Sequence, residues 1–210
     1  MEARPTVFVV DDDQDVCDSV ARAVGVLAVD VQCFLSPAGM LDFCRPEMTG
    51  CLILDIEMPG MNGLHLRKQL AAKGCQQPFI VMSGRADIAS AVAAMHQGAL
   101  DFIEKPFRRQ HLLDRVQEAI ARDAELRRLR GEQAAVRALV ESLTARERQV
   151  LELVGTGKIT KEIARDLTIS HKTVEVHRSH IMKKMRVDSA ADLLHLIAKY
   201  PVMPQSGGLN

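Results

Sequence analysis

No apolar run in this 210-residue chain is long enough to span a bilayer. Nor does a secretory hydrophobic region open it, since Met1-Glu2-Ala3-Arg4-Pro5 leads straight into a short apolar run. No membrane partner is expected, and the predicted place of work is cytoplasmic. Cysteine is scarce and poorly spaced for chemistry. Cys17, Cys33, Cys44, Cys51 and Cys75 all lie in the first half, odd in number and without a CxxC pair. That pattern argues against a disulfide framework or a zinc site, and for small buried hydrophobes in a reducing compartment. Net charge is also missing, at +0, but the zero hides an asymmetry. Residues 1–120 hold 11 Lys+Arg against 16 Asp+Glu, a net of −5, and residues 143–210 hold 11 against 7, a net of +4. The segment between them is nearly balanced, at 5 against 4. An acidic half joined to a basic half predicts that only the second half meets a polyanion.

The acidic half contains four apolar runs that end in polar residues. Val7–Val10 ends in Asp11-Asp12-Asp13, Cys51–Leu54 in Asp55, Phe79–Met82 in Ser83-Gly84, and Phe102-Ile103-Glu104 in Lys105-Pro106. Amphipathic stretches lie between them. One starts at Asp15 and carries Val16, Val20, Val24 and Leu27; a short one is capped by Ser36 with Pro37 at its first position. Another runs from about Gly63 with Leu64, Leu66 and Leu70, and Ile88, Val92 and Met95 line the next. With a weaker strand at 29–34 and a last helix from about Arg108, the alternation predicts an α/β doubly wound five-stranded parallel sheet, helices on both faces. Its central strands read as continuous apolar runs, as buried parallel strands should.

In such sheets, chemistry collects at the carboxyl ends of the strands. Carboxylates meeting there repel one another unless a hard cation lies between them, and oxygen donors of this kind suit Mg2+. A carboxylate so placed can attack a phosphoryl donor and become an acyl phosphate. A hydroxyl and an ammonium, Ser83 and Lys105, can then clamp the phosphoryl oxygens. Taken singly, each residue has a plainer explanation: an Asp after a strand usually forms a turn or caps a helix, and a Lys is usually solvated. Asp13 and Asp15 are explained that way and stay outside the site. For Asp11, Asp12, Asp55, Ser83 and Lys105 together, convergence on four strand ends favours a site.

Four segments carry a resemblance: Val9-Val10-Asp11-Asp12-Asp13, Leu54-Asp55-Ile56-Glu57-Met58-Pro59-Gly60, Val81-Met82-Ser83-Gly84 and Phe102-Ile103-Glu104-Lys105-Pro106-Phe107. They resemble the signatures of the two-component response-regulator receiver domain, of flavodoxin-like fold, over residues 5–120. The resemblance implies that Asp55 is the phosphoacceptor for a sensor histidine kinase. It implies Mg2+ (or Mn2+) held by Asp11, Asp12, Asp55 and the main-chain carbonyl of Glu57. It further implies Ser83 as switch hydroxyl, Phe102 as switch aromatic, Lys105 as phosphoryl-binding ammonium, and a cis Lys105-Pro106 bond. Glu57 and Arg85, each two residues beyond a site residue, are expected to overhang the pocket mouth. Pairing across it and two solvated side chains both fit that position.

From Arg109 to about Ser142 the chain turns to Ala, Glu, Arg and Leu, with Leu112, Val116, Ile120, Leu126, Leu129, Val136 and Leu139 at helical spacing. Gly131 is a candidate interruption, and a coiled-coil seam and a plain amphipathic linker both fit. Thr144 and Glu147 form a capping box at the head of a helix bearing Val150, Leu151 and Val154. Thr160, Ser170 and Ser189 are then expected to cap three more helices, the second and third in helix-turn-helix spacing. On the helix from Ser170, Val174, Ile181, Met182 and Met185 form the inward stripe. Lys172, Glu175, Val176, Ser179 and Lys183 lie opposite. Val176 there is either an isolated surface valine or a contact to a thymine methyl. Lys172, Arg178, Lys183, Lys184 and Arg186 can pair with phosphates, or form a solvated face.

Leu143-Thr144-Ala145-Arg146-Glu147-Arg148-Gln149-Val150-Leu151, Lys161-Glu162-Ile163-Ala164 and Lys172-Thr173-Val174-Glu175-Val176-His177-Arg178 resemble the LuxR-type helix-turn-helix domain, and the whole chain is similar to FixJ/NarL-like response regulators, especially the FixJ branch. That resemblance implies a transcription regulator, more often an activator, whose phosphorylation switches homodimer formation and binding to double-stranded DNA, with RNA polymerase as a further partner. DNA contacts are expected from Lys172, Thr173, Glu175, Val176, Arg178, Ser179 and Lys183. The expected domains are a receiver over 1–120, a helical linker over 121–142, a DNA-binding domain over 143–200 and a disordered tail over 201–210. Two other readings compete. One is a Mg2+-dependent phosphohydrolase of haloacid-dehalogenase type, with Asp11 as nucleophile and Asp13 as second acid. The other is a DNA-binding regulator that no longer needs phosphorylation.

Overall fold

A computed structural model describes residues 4–85 and 87–200; the tail expected at 201–210 lies outside them. In chain order the first elements are β1 (Thr6–Val10), α1 (Gln14–Val24), β2 (Asp30–Phe34), α2 (Pro37–Phe43) and β3 (Gly50–Asp55). Then follow α3 (Gly63–Ala72), β4 (Phe79–Ser83), α4 (Ile88–His96), β5 (Phe102–Glu104) and α5 (Arg109–Glu141). All strand pairs are parallel, in the order β2-β1-β3-β4-β5. Every residue of β3 and β4 is buried, because helices cover both faces. Alternate residues of each strand feed two cores. Phe8, Val10, Leu52, Leu54, Phe79 and Val81 pack on one face with Met40, Leu66 and Leu70. Val7, Val9, Ile53, Ile80 and Met82 pack on the other with Val20, Leu112 and Val116.

Local chemistry sets the element ends. Asp13 caps α1 by accepting from Asp15 N, Ser36 caps α2 by accepting from Gly39 N, and Asn62 caps α3 by accepting from Leu64 N. Gly50 opens β3 at φ +121, where an added Cβ would lie 2.0 Å from the Thr6 carbonyl oxygen, so only glycine fits. Its N–H donates to the Asp123 carboxylate at 2.9 Å, and Arg127 Nε donates to the same oxygen. Asp123 is buried, so this carboxylate fastens α5 to the amino end of the central strand.

The chain divides into two compact units between Arg127 and Arg128. α5 continues through Gly131, the candidate interruption, as one helix; a single glycine costs only about 1 kcal/mol. The residues expected as a helical linker lie in this helix, which runs out of the first unit as its spacing predicts. In the second unit, α6 (Ala145–Gly155), α7 (Thr160–Leu167), α8 (His171–Met185) and α9 (Ala190–Lys199) surround Leu143, Val150, Leu151, Ile163, Val174, Ile181 and Leu193. Thr144 and Glu147 make the capping box, and Ser170 and Ser189 cap α8 and α9. Thr160 does not cap. It is the first helical residue, and Glu162 reaches back to the Ile159 N–H at 3.0 Å.

The apolar stripe expected to seat α4 is also corrected. Ile88, Val92 and Met95 are 84%, 49% and 50% exposed, while Ala93 and Ala94 face the core. Helical spacing identifies a face but not the side that the sheet covers. Among the described residues, no helix is long and apolar enough to cross a membrane.

Candidate functional site

β1, β3 and β4 deliver Asp11, Asp55 and Ser83 to one edge of the sheet, and the segment after β5 adds Lys105. Asp11, Asp55 and Ser83 are 1%, 4% and 1% exposed; Asp12 is exposed. Lys105 Nζ lies 2.6 Å from Asp11 Oδ2 and 2.8 Å from Asp55 Oδ1. Two backbone bonds hold the strand ends in register at this edge. Ile56 N donates to the Met82 carbonyl at 3.0 Å, and Lys105 N donates to the Ser83 carbonyl at 2.8 Å. The Lys105-Pro106 bond is cis. Gly63 lets the loop after Asp55 fold back, since a Cβ there would lie 2.0 Å from the Asp55 carbonyl oxygen. Glycine at this position is a steric requirement that strand-and-motif reading does not register.

One ammonium pairs with two carboxylates, and a third lies beside them. Burial raises the Asp55 carboxyl above its ordinary range; the Lys105 hydrogen bond and charge draw it back, and the charges of Asp11 and Asp12 raise it again, leaving it raised. For Lys105, burial works against the charge, but hydrogen bonds to Asp11 and Asp55 prevail and the ammonium is held above its usual value. Both directions follow from an excess of negative charge in a half-dry pocket. Ligand oxygens of Asp11, Asp12 and Asp55 lie within 4.8 Å of one another. An all-oxygen set with surplus charge fits a hard divalent cation.

The other expected receiver residues surround this cluster differently. Ser83 Oγ donates to the Arg85 carbonyl at 2.8 Å and accepts from Arg85 N at 3.1 Å, so its hydroxyl is turned into its own loop. Phe102 begins β5 and is half-buried against the core. Glu57 and Arg85 approach to 4.0 Å with side chains 53% and 83% exposed. Asp13 serves its helix and lies outside the cluster, as expected.

In the second unit, Lys172, Glu175, Val176, Ser179 and Lys183 are exposed along α8, while Thr173 and Arg178 are half-buried. Thr173 Oγ1 lies 2.8 Å from Ser170 Oγ at the helix start. Val174, Ile181 and Met185 are buried as expected, and Met182 is half-buried. Lys184 is the correction on this helix. Its ammonium lies 2.7 Å from Glu147 Oε2, so it clasps α8 to α6 rather than presenting a free cation. Glu147 is only 3% exposed. The Lys184 hydrogen bond, then the Thr144 backbone N–H, draw its carboxyl down to about 2. Arg146 Nη2 adds a hydrogen bond to the Leu167 carbonyl at 2.6 Å, tying α6 to the end of α7. The capping box was the available signal for Glu147; no spacing rule links it to a lysine 37 residues away.

Residues 7–117 match the response regulator receiver domain family, and residues 141–197 match the bacterial regulatory proteins of the luxR family. Nodulation protein W of Bradyrhizobium diazoefficiens is 40% identical over 190 residues, 90% of this chain and 84% of that protein. Transcriptional regulatory protein FixJ of Azorhizobium caulinodans is 39% identical over 198 residues, 94% of each chain. Among solved structures, response regulator StyR is 42% identical with a TM-score of 0.82, covering 94% of this chain and 100% of that one.

Proposed function

Because this chain belongs to the response regulators that join a receiver domain to a LuxR-type DNA-binding domain, we propose that Asp55 is its phosphoacceptor and that the phosphoryl group governs DNA binding. A regulator of this family is a receiver with a DNA-binding partner domain rather than an enzyme with turnover, and it implies a histidine kinase and DNA as partners. The observation that carries the assignment is Lys105 bridging Asp11 and Asp55 at 2.6 and 2.8 Å.

In the proposed reaction, an Asp55 carboxylate oxygen attacks the phosphorus of a phosphohistidine. The P–N bond breaks, its electrons stay with the imidazole, and an aspartyl phosphate results. Lys105 then transfers its ion pairing to the phosphoryl oxygens, and Ser83 rotates away from Arg85 to hydrogen-bond them. Asp11, Asp12, Asp55 and the Glu57 main-chain carbonyl would hold Mg2+ (or Mn2+), which when bound offsets the carboxylate charge and accepts phosphoryl oxygens. Phe102 follows Ser83 as the switch aromatic, and water slowly hydrolyses the acyl phosphate.

The phosphorylated state is proposed to dimerise, so that two basic units read two half-sites of double-stranded DNA. Lys172, Thr173, Glu175, Val176, Arg178, Ser179 and Lys183 are the proposed contacts. The working organisation is a receiver over 1–120, a helical linker over 121–142 and the DNA-binding domain over 143–200. The protein acts in the cytoplasm as an activator that engages RNA polymerase.

Intact mass after incubation with acetyl phosphate and Mg2+ tests the assignment. One phosphate should add to the wild-type chain and none to Asp55→Ala. An adduct retained in Asp55→Ala, or formed without divalent metal, overturns it. Labelling lost only in Asp11→Asn would instead support the hydrolase reading.

A further inference from the structure

We propose that Cys44 and Cys75 form an oxidation site, closed by a peroxide into an intramolecular disulfide between the end of α2 and the turn before β4. The two sulfurs lie 2.8 Å apart, 31 residues apart in sequence, against a disulfide bond length of about 2.05 Å. Under an ångström of approach closes the bond.

The backbone carrying both cysteines is held in place. Cys44 N donates to the Met40 carbonyl and Cys75 N to the Leu70 carbonyl, each at 2.9 Å. Lys73 Nζ reaches the Leu41 carbonyl at 2.6 Å, Gln77 Nε2 the Met48 carbonyl at 2.7 Å, and Arg67 Nη1 the Cys75 carbonyl at 3.0 Å. The Lys73 bond joins the end of α3 to α2, the Gln77 bond joins the segment before β4 to the turn before β3, and the Arg67 bond holds the Cys75 backbone against α3. The pair is therefore preorganised rather than dependent on a loop collision. On the opposite face of the sheet the Cys17 and Cys33 thiols also interact, with Cys33 Sγ 4.0 Å from the Cys17 carbonyl, but the sulfur–sulfur approach of 2.8 Å belongs to Cys44 and Cys75; Cys51 lies within β3.

Burial sets the rate and the selectivity. Cys44 and Cys75 are 4% and 0% exposed, and burial pushes the Cys75 thiol up to about 12, against the charges of Lys73 and Arg67. Thiolate is scarce, so oxidation is slow and limited to small oxidants such as hydrogen peroxide. One sulfur, losing its proton, takes an oxygen from the peroxide to become a sulfenic acid, and water departs. The second sulfur attacks the first, the S–S bond forms, and the sulfenic oxygen leaves as a second water with the remaining thiol proton. Two thiols and one peroxide thus give one disulfide and two waters. The same burial shields the product from bulky thiol reductants.

The test uses the full native chain, exposed to hydrogen peroxide and then denatured with excess alkylating agent. The oxidised species should be lighter by two hydrogens before alkylation, with three of its five cysteines alkylated. A non-reducing peptide map should join the Cys44 and Cys75 peptides, and a dithiol reductant should separate them. Cys44→Ser and Cys75→Ala, each still taking one phosphate from acetyl phosphate as evidence of folding, should lose the joined peptide. The proposal is overturned if both cysteines remain fully alkylatable, if they pass to sulfinic acids without joining, or if Cys17 and Cys33 account for the lost hydrogens.

Discussion

At Asp55, burial and two neighbouring carboxylates oppose the charge that a nucleophile needs, and Lys105 restores part of it. The carboxyl is thereby left above its ordinary range, so a change in the surrounding charges acts on it. The mouth is where this chain offers such a change. Glu57 and Arg85 meet only at 4.0 Å and are largely solvated, so their pairing is worth on the order of 0–1 kcal/mol in stability. If the two pair across the entrance, the effect belongs in kinetics, by obstructing the line along which water would attack the phosphorus. Loss of phosphate from Asp55, followed by intact mass over time, is expected to accelerate in Glu57→Ala and in Arg85→Ala. The double variant should be no faster than the quicker single one, and independent, additive effects would rule out the gate. The acids and Lys105 were legible in the sequence because each ends an apolar run. The partner of Ser83 was not, because a hydroxyl that turns into its own loop is decided by local geometry.

Elements were legible where side chains bond to nearby backbone. Ser36, Thr144 and Ser170 stand at helix starts and accept the bonds that the rule assigns to such residues. They were illegible where tertiary packing decides. The α4 stripe is periodic yet exposed, and Lys184 lies beside a polar face yet is tied to α6. The clasp has a pH signature. The Glu147 carboxyl is held at about 2 in the fold, below its ordinary value, so its contribution is complete above the ordinary carboxylate range. That contribution is lost as pH falls through the window down to about 2. Lys184→Met should destabilise the second unit by about 1–3 kcal/mol at neutral pH. The difference from wild type should shrink on acidification, as followed by urea unfolding. A difference that does not change with pH would assign the loss to packing. On the exposed face of α8, Val176→Ala and Glu175→Ala should alter sequence preference. Lys183→Ala should weaken all duplexes alike and reduce the salt slope by about one unit. Equal effects of all three on specific and random DNA would show that another face reads the bases.

For the whole molecule, the charge asymmetry and the two motif sets disclosed an acidic receiver ahead of a basic helical domain, and the family matches fall on the same two stretches. The helix running out of the receiver was legible from its spacing; its anchor was not, because no local rule links Asp123 to Gly50, 73 residues away. Two units joined by one helix allow a phosphoryl group on the first to bias the second, by as much as the phosphate favours one state over the other. The most direct test is the affinity of the full chain for a duplex selected from random sequence, measured with and without acetyl phosphate and Mg2+. Wild type should bind about tenfold more tightly when phosphorylated, within the usual range of coupling between sites, and Asp55→Asn should not respond. Tight binding that is indifferent to the phosphoryl donor, or a full response in Asp55→Asn, would contradict the account.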